Sequence, residues 1–149
     1  MNFMKMKKNT NKDGFTILEL LVVIAIIAVL ATISMLLISD SQNKSKDSKI
    51  KSQMANLRKV TEVYATANNN YGATVTDCTS GMFADTTHDV AKFVTTANYP
   101  SGTTLSCRAS STNWAVSASL FGGGYWCVDS SGTPKQVSSA ISTTSCPAS

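Results

Sequence analysis

Three spacings of apolar residues follow one another along the chain. The first is continuous: from Leu20 to Ile38 no residue is charged, and only Thr32 and Ser34 interrupt the apolar run. Nineteen residues rising about 1.5 Å each are long enough, as a helix, to cross a hydrocarbon core of about 30 Å. The second spacing is helical. Ile50, Met54, Leu57, Val60 or Thr61, Tyr64 and Ala67 recur every three or four positions, an amphipathic stripe. Asp40 to Asn43 between them is polar but holds no Gly or Pro, so nothing breaks the helix there. One helix from Phe15 to about Asn68, roughly 80 Å long, is therefore expected.

Asn68-Asn69-Asn70 followed by Tyr71-Gly72 tolerates left-handed conformations and ends that helix. Residues 73–103 read as a connection holding a short helix around His88–Ala97, with Val90, Phe93, Val94 and Ala97 on one face. From Thr104 the period becomes two. Asn113 to Leu120 places Trp114, Val116, Ala118 and Leu120 on one side. Tyr125 to Asp129 and Pro134 to Val137 flank Ser130-Ser131-Gly132, a hairpin connection, and Gly122-Gly123-Gly124 separates the preceding strands. The expected fold is α+β: a long N-terminal helix packed against three or four antiparallel strands.

Charge narrows the partners. The net +4 is uneven, because residues 1–14 carry four lysines and one aspartate. Residues 39–68 hold six basic and three acidic side chains, while residues 69–149 hold three basic and four acidic. A near-neutral globular part does not support a nucleic-acid surface. The basic cluster on the helix reads first as a solvated face, and otherwise as a contact for anionic lipid or an adjacent subunit.

Four cysteines, Cys78, Cys107, Cys127 and Cys146, all lie beyond the apolar run, and an even count there points to two disulfides in an oxidising compartment. Three pairings are open. Cys78–Cys107 and Cys127–Cys146 are favoured because each closes a local loop, of roughly 30 and 20 residues, stabilising by about 3 kcal/mol in the chain-entropy view. A zinc site is not supported, since there is no C-x-x-C pair and His88 is the sole histidine. Nor is a phosphate loop, a nucleophile elbow or a calcium loop present. No catalytic residue, cofactor or metal is assigned.

Lys5, Lys7, Lys8 and Lys12 precede the run, a positive-inside pattern that keeps the N-terminus cytoplasmic and sends the rest outward. Gly14-Phe15-Thr16-Ile17-Leu18-Glu19, between this leader and the apolar helix, resembles the N-terminus of type IV pilins and pseudopilins. The resemblance is strong over about the first 40 residues. It implies that a prepilin peptidase cuts after Gly14 and methylates Phe15, and that helices bundle into a homopolymer through the pilus assembly machinery. It further implies that the 73–103 connection packs at subunit contacts and that Tyr125 to Gly132 belongs to a disulfide-bounded tail. The division is then 1–14 leader, 15–38 membrane and filament-core helix, 39–70 amphipathic continuation, 71–149 globular head. Asp13 departs from the family's more usual basic residue. Ala28 and Leu36 stand where many members have helix-breaking glycine and proline, so this segment is expected to stay helical.

Glu19 is the anomaly of the apolar helix. A carboxylate costs of order 2.5–3.5 kcal/mol at mid-bilayer and less near the interface. By the resemblance, it pairs with the Phe15 α-amine of a neighbouring subunit, and the pairing sets axial register. The expected function is a structural subunit of a pilus-like extracellular filament, made as a single-pass membrane precursor. A pseudopilin of a secretion or DNA-uptake apparatus is the sibling alternative. A single-pass anchored binding module is the alternative of another class, and a signal peptide cut near Val29-Leu30-Ala31 is the rival reading of the N-terminus.

Overall fold

A computed structural model describes residues 14–148. Of the leader expected over residues 1–14, all but Gly14 lies outside the described residues. The chain divides into two compact units, with the boundary between Ile38 and Ser39. Helix α1 spans Ile17–Asn68 without a glycine or proline. In the first unit its side chains from Leu20 to Ile33 stand exposed. The two polar residues of the apolar run are satisfied internally. Thr32 Oγ1 donates to the carbonyl of Val29 at 2.8 Å, and Ser34 Oγ to that of Leu30 at 2.9 Å. Closing hydroxyls onto the helix backbone leaves no unmet donor in an apolar medium.

In the second unit α1 is amphipathic. Ile50, Met54, Leu57 and Thr61 are fully buried, whereas Val60 and Tyr64 are half-buried and Ala67 is exposed. Thr61 takes the core position because its hydroxyl donates to the Arg58 carbonyl at 2.9 Å, so only its methyl faces the core. The helix ends at Asn69, which has φ +59°. Asn68 Nδ2 donates to the Tyr64 carbonyl at 2.9 Å, satisfying one acceptor of the last turn.

The connection contains a 3₁₀ turn at Gly81–Ala84, helix α2 at Val90–Val94 and a second 3₁₀ turn at Thr96–Asn98. The helix expected over His88–Ala97 is thus shorter, and Ala97 is exposed rather than on the buried face. Asp89 at φ +63° starts it late, and Thr95, extended at ψ 117°, stops it early. Val90 and Val94 still reach the core.

Four strands follow in a meander: β1 Leu105–Ala109, β2 Trp114–Ser119, β3 Tyr125–Asp129 and β4 Lys135–Val137, all antiparallel and in the order β1-β2-β3-β4. Pairing of Cys107 with Val116 and of Val116 with Val128 puts these side chains on one face with Trp114 and Ala118. That face packs with Ile50, Met54 and Leu57. The opposite face is covered too, because Ala115, Cys127, Val137 and Ile141 form a second cluster. Gly124 makes the β2–β3 turn possible. It has φ +72°, and a Cβ there would sit 2.8 Å from the Val137 carbonyl oxygen.

The C-terminal tail is strapped across the outer face at three points. Ile141 N–H donates to Ser117 Oγ at 3.1 Å, Cys146 N–H to Asp129 Oδ2 at 2.8 Å, and Cys146 is bonded to Cys127. A second disulfide joins Cys78 to Cys107, tying the connection to β1 beside the Val75–Ala109 bridge. Asp129 is the polar centre of this strap. Burial pushes its carboxyl up, but the N–H groups of Cys146, Ser131 and Gly132 outweigh burial and hold it below the usual carboxylate range. A carboxyl lowered on folding stabilises above its unfolded pKa and loses that contribution as pH falls through the folded value. Asp129→Ala is therefore expected to destabilise the head by about 3 kcal/mol at neutral pH by leaving buried donors unmet. The gap between wild type and variant should narrow on acidification below about pH 4, in thermal unfolding of the detergent-solubilised chain. A gap independent of pH would mean the ionised carboxylate contributes no more than the protonated one.

Candidate functional site

Gly14, Phe15 and Thr16 precede α1 without regular structure, and all three are exposed. No atom lies within 4 Å of where a Gly14 Cβ would be. Phe15 is 82% exposed. The Gly14–Phe15 peptide bond therefore lies open in an irregular segment, the form in which a protease accepts a substrate backbone.

Immediately after it, Thr16 and Glu19 close a reciprocal cap. The Thr16 N–H donates to Glu19 Oε2 at 2.9 Å, Thr16 Oγ1 donates to the same oxygen at 2.8 Å, and the Glu19 N–H donates to Thr16 Oγ1 at 3.3 Å. This is a capping box: the residue before the first helical position and the third helical residue satisfy each other's donors. The carboxylate also stands in the first turn, where the helix dipole favours negative charge. Glu19 thus has a partner in its own chain. The signal for it, Thr-x-x-Glu before an apolar run, stands in the sequence.

Past the cap, Leu18 to Leu30 present large apolar side chains that nothing in their own unit covers, several of them more than half exposed. A surface of this extent requires lipid or other apolar helices around it. By length and composition α1 is able to cross a membrane.

The other sequence candidates play structural parts. His88 is held within the head: its backbone N–H donates to Asp85 Oδ1 at 2.7 Å, its Nδ1 lies 3.1 Å from the same oxygen, and its ring stands edge-on to Tyr64 at 5.7 Å. Among the described residues no group of His, Cys, Asp and Glu gathers as a metal site. The basic cluster on α1 is partly spoken for within the head. Lys46 lies over the Phe121 ring at 4.5 Å and Lys51 over Trp126 at 4.6 Å. Asp47 receives the Phe121 and Gly122 N–H groups at 2.7 and 3.0 Å, clipping the β2–β3 turn to the helix.

An exposed irregular segment, a capped apolar helix able by length and composition to cross a membrane, and a disulfide-stapled α+β head thus stand in one chain. Residues 9–35 match the family model of the prokaryotic N-terminal methylation motif, so the chain carries the type IV pilin-like prepilin motif. The motif supports a pilin- or pseudopilin-like exported subunit, structural rather than enzymatic, and implies processing by a prepilin peptidase and assembly into pilus-like filaments. No curated protein and no solved structure matches the chain.

Proposed function

We propose that this chain is the structural subunit of a type IV pilus-like extracellular filament. It is exported as an inner-membrane prepilin, cleaved after Gly14 and N-methylated at Phe15. Many copies then bundle their first-unit helices with heads outward, and Glu19 sets the axial register. The observation that carries this reading is the open Gly14–Phe15 bond directly before a capped helix whose apolar surface is bare. Cutting there creates an α-amine four residues before Glu19, and methylation keeps its positive charge. Of Glu19's two oxygens only Oε2 serves the Thr16 cap, so Oε1 remains for an amine brought by another copy.

Two disulfides and a tail strapped to its own sheet favour a pilin over a pseudopilin, because such a head is self-contained and suited to exposure outside the cell. Shearing cells and collecting the released material tests the filament itself. Filaments built of this chain are expected in the sheared fraction. A chain that stays wholly with the membranes, however strongly expressed, would overturn the pilus reading and leave a pseudopilin or a single-pass anchored module.

A further inference from the structure

Along the second unit of α1, charged residues repeat at an offset of four with opposite signs: Asp40 and Lys44, Asp47 and Lys51, Arg58 and Glu62. At about 100° per residue these six lie on one stripe of the helix, beside the stripe of Ile50, Met54, Leu57 and Thr61 that the head covers. No two charged residues of α1 four positions apart carry the same sign. An offset of seven, which returns to the same face, aligns Asp40 with Asp47, Lys44 with Lys51 and Lys51 with Arg58, all like charges. Within one chain the pattern is not used as ion pairs. Among the described residues the one contact of ion-pair distance is His88 with Asp85, away from this helix. Asp47, Lys51 and Glu62 have other partners in their own head, namely the turn N–H groups, the Trp126 ring and the Tyr71 hydroxyl. Asp40 and Lys44 are exposed and make no side-chain hydrogen bond or ion pair among the described residues.

We propose that Asp40 of one copy pairs with Lys44 of the next, the two helices lying parallel and displaced by four residues. The occupant of this face is a second copy of the chain, chosen by charge complementarity. The inference rests on the filament reading above, and its offset is the same four residues that separate Phe15 from Glu19. A correct stagger would then match charge at two levels, while a slip of seven would set like charges together and be rejected.

The test uses the full chain in cells that assemble it, with sheared filament and total processed subunit measured separately. Asp40→Lys alone and Lys44→Glu alone each create a like-charge contact, and each is expected to lower filament yield about tenfold, a change that one displaced ion pair supplies, with processed subunit unchanged. Co-expressing the two single variants is expected to restore filaments, because Lys at 40 in one copy then meets Glu at 44 in the other. Within either single variant the pair remains like-charged, so rescue by mixing reports contact between copies. Should the Asp40→Lys/Lys44→Glu double variant assemble while the mixture does not, the pair is intrahelical and the proposal falls. Single variants that assemble like the parent would overturn it and leave the filament reading standing. A parent that yields no filaments would overturn both.

Discussion

Glu19→Ala is expected to yield a stable, processed subunit that remains in the membrane and forms no filaments. The substitution removes two things at once, and companion variants separate them. Glutamine at the third helical position still completes a capping box with Thr16, so Glu19→Gln keeps the helix start and discards only the charge. Thr16→Ala does the opposite: it loosens the first turn by about 1 kcal/mol and leaves the carboxylate in place. If charge sets register, Glu19→Gln fails to assemble as completely as Glu19→Ala, and Thr16→Ala assembles with a lower yield. Normal filaments from Glu19→Gln, read by electron microscopy of sheared material, would assign Glu19 to capping alone. The reason for expecting loss rather than weakening is that a carboxylate among bundled apolar helices costs several kcal/mol unless paired. A methylated amine without its acceptor is in the same position, so the variant leaves the Phe15 charge stranded in every copy.

The second large effect falls on the head. Trp114 is fully buried at the start of β2, packs on the helix-side cluster and stands edge-on to Tyr71 with ring centroids 6.5 Å apart. Among the described residues its indole N–H meets no acceptor at hydrogen-bond distance, so packing dominates the hold on the ring. Truncation to alanine is expected to cost about 3–5 kcal/mol, a large part of the stability of a domain this size. The two disulfides keep the variant from unravelling fully, so it should appear as a lowered melting temperature and as sensitivity to protease. Trp114→Phe, which retains most of the apolar volume and gives up no hydrogen bond, is expected to cost well under half as much. Equal losses in the two variants would mean that the indole N–H has a partner after all.

The parts of the fold with a period were legible in the sequence. A run without charge, a three-and-four stripe and a two-residue alternation placed α1, β2 and β3 to within a residue or two, because burial on one face imposes those spacings. What lacked a period was legible only in part. The disulfide that pins the tail, Cys127–Cys146, is favoured by its loop length, but the covering of the outer face through Ile141 and the hold of Asp129 on the tail follow no repeat. The choice of Thr61 over Val60 for the core turned on a hydroxyl bonded back to its own helix, which hydropathy alone ranks wrongly. Lys46 and Lys51 read as solvated charges, yet each lays its ammonium over an aromatic ring of the head. At the N-terminus the motif residues were all visible, and the Thr16–Glu19 cap was carried by Thr-x-x-Glu before an apolar run, a pattern overlaid by the charge of Glu19 itself.

The most direct test of processing at the leader boundary is the N-terminal sequence and intact mass of the subunit isolated from envelopes. A chain beginning at Phe15, heavier by about 14 Da for one methyl group and lighter by two hydrogens for each disulfide, is the predicted result. A chain beginning near Thr32 would contradict it, since removal of a signal peptide takes away Phe15, Glu19 and most of the apolar helix together. An intact Met1 would contradict it as well and leave a plain membrane anchor.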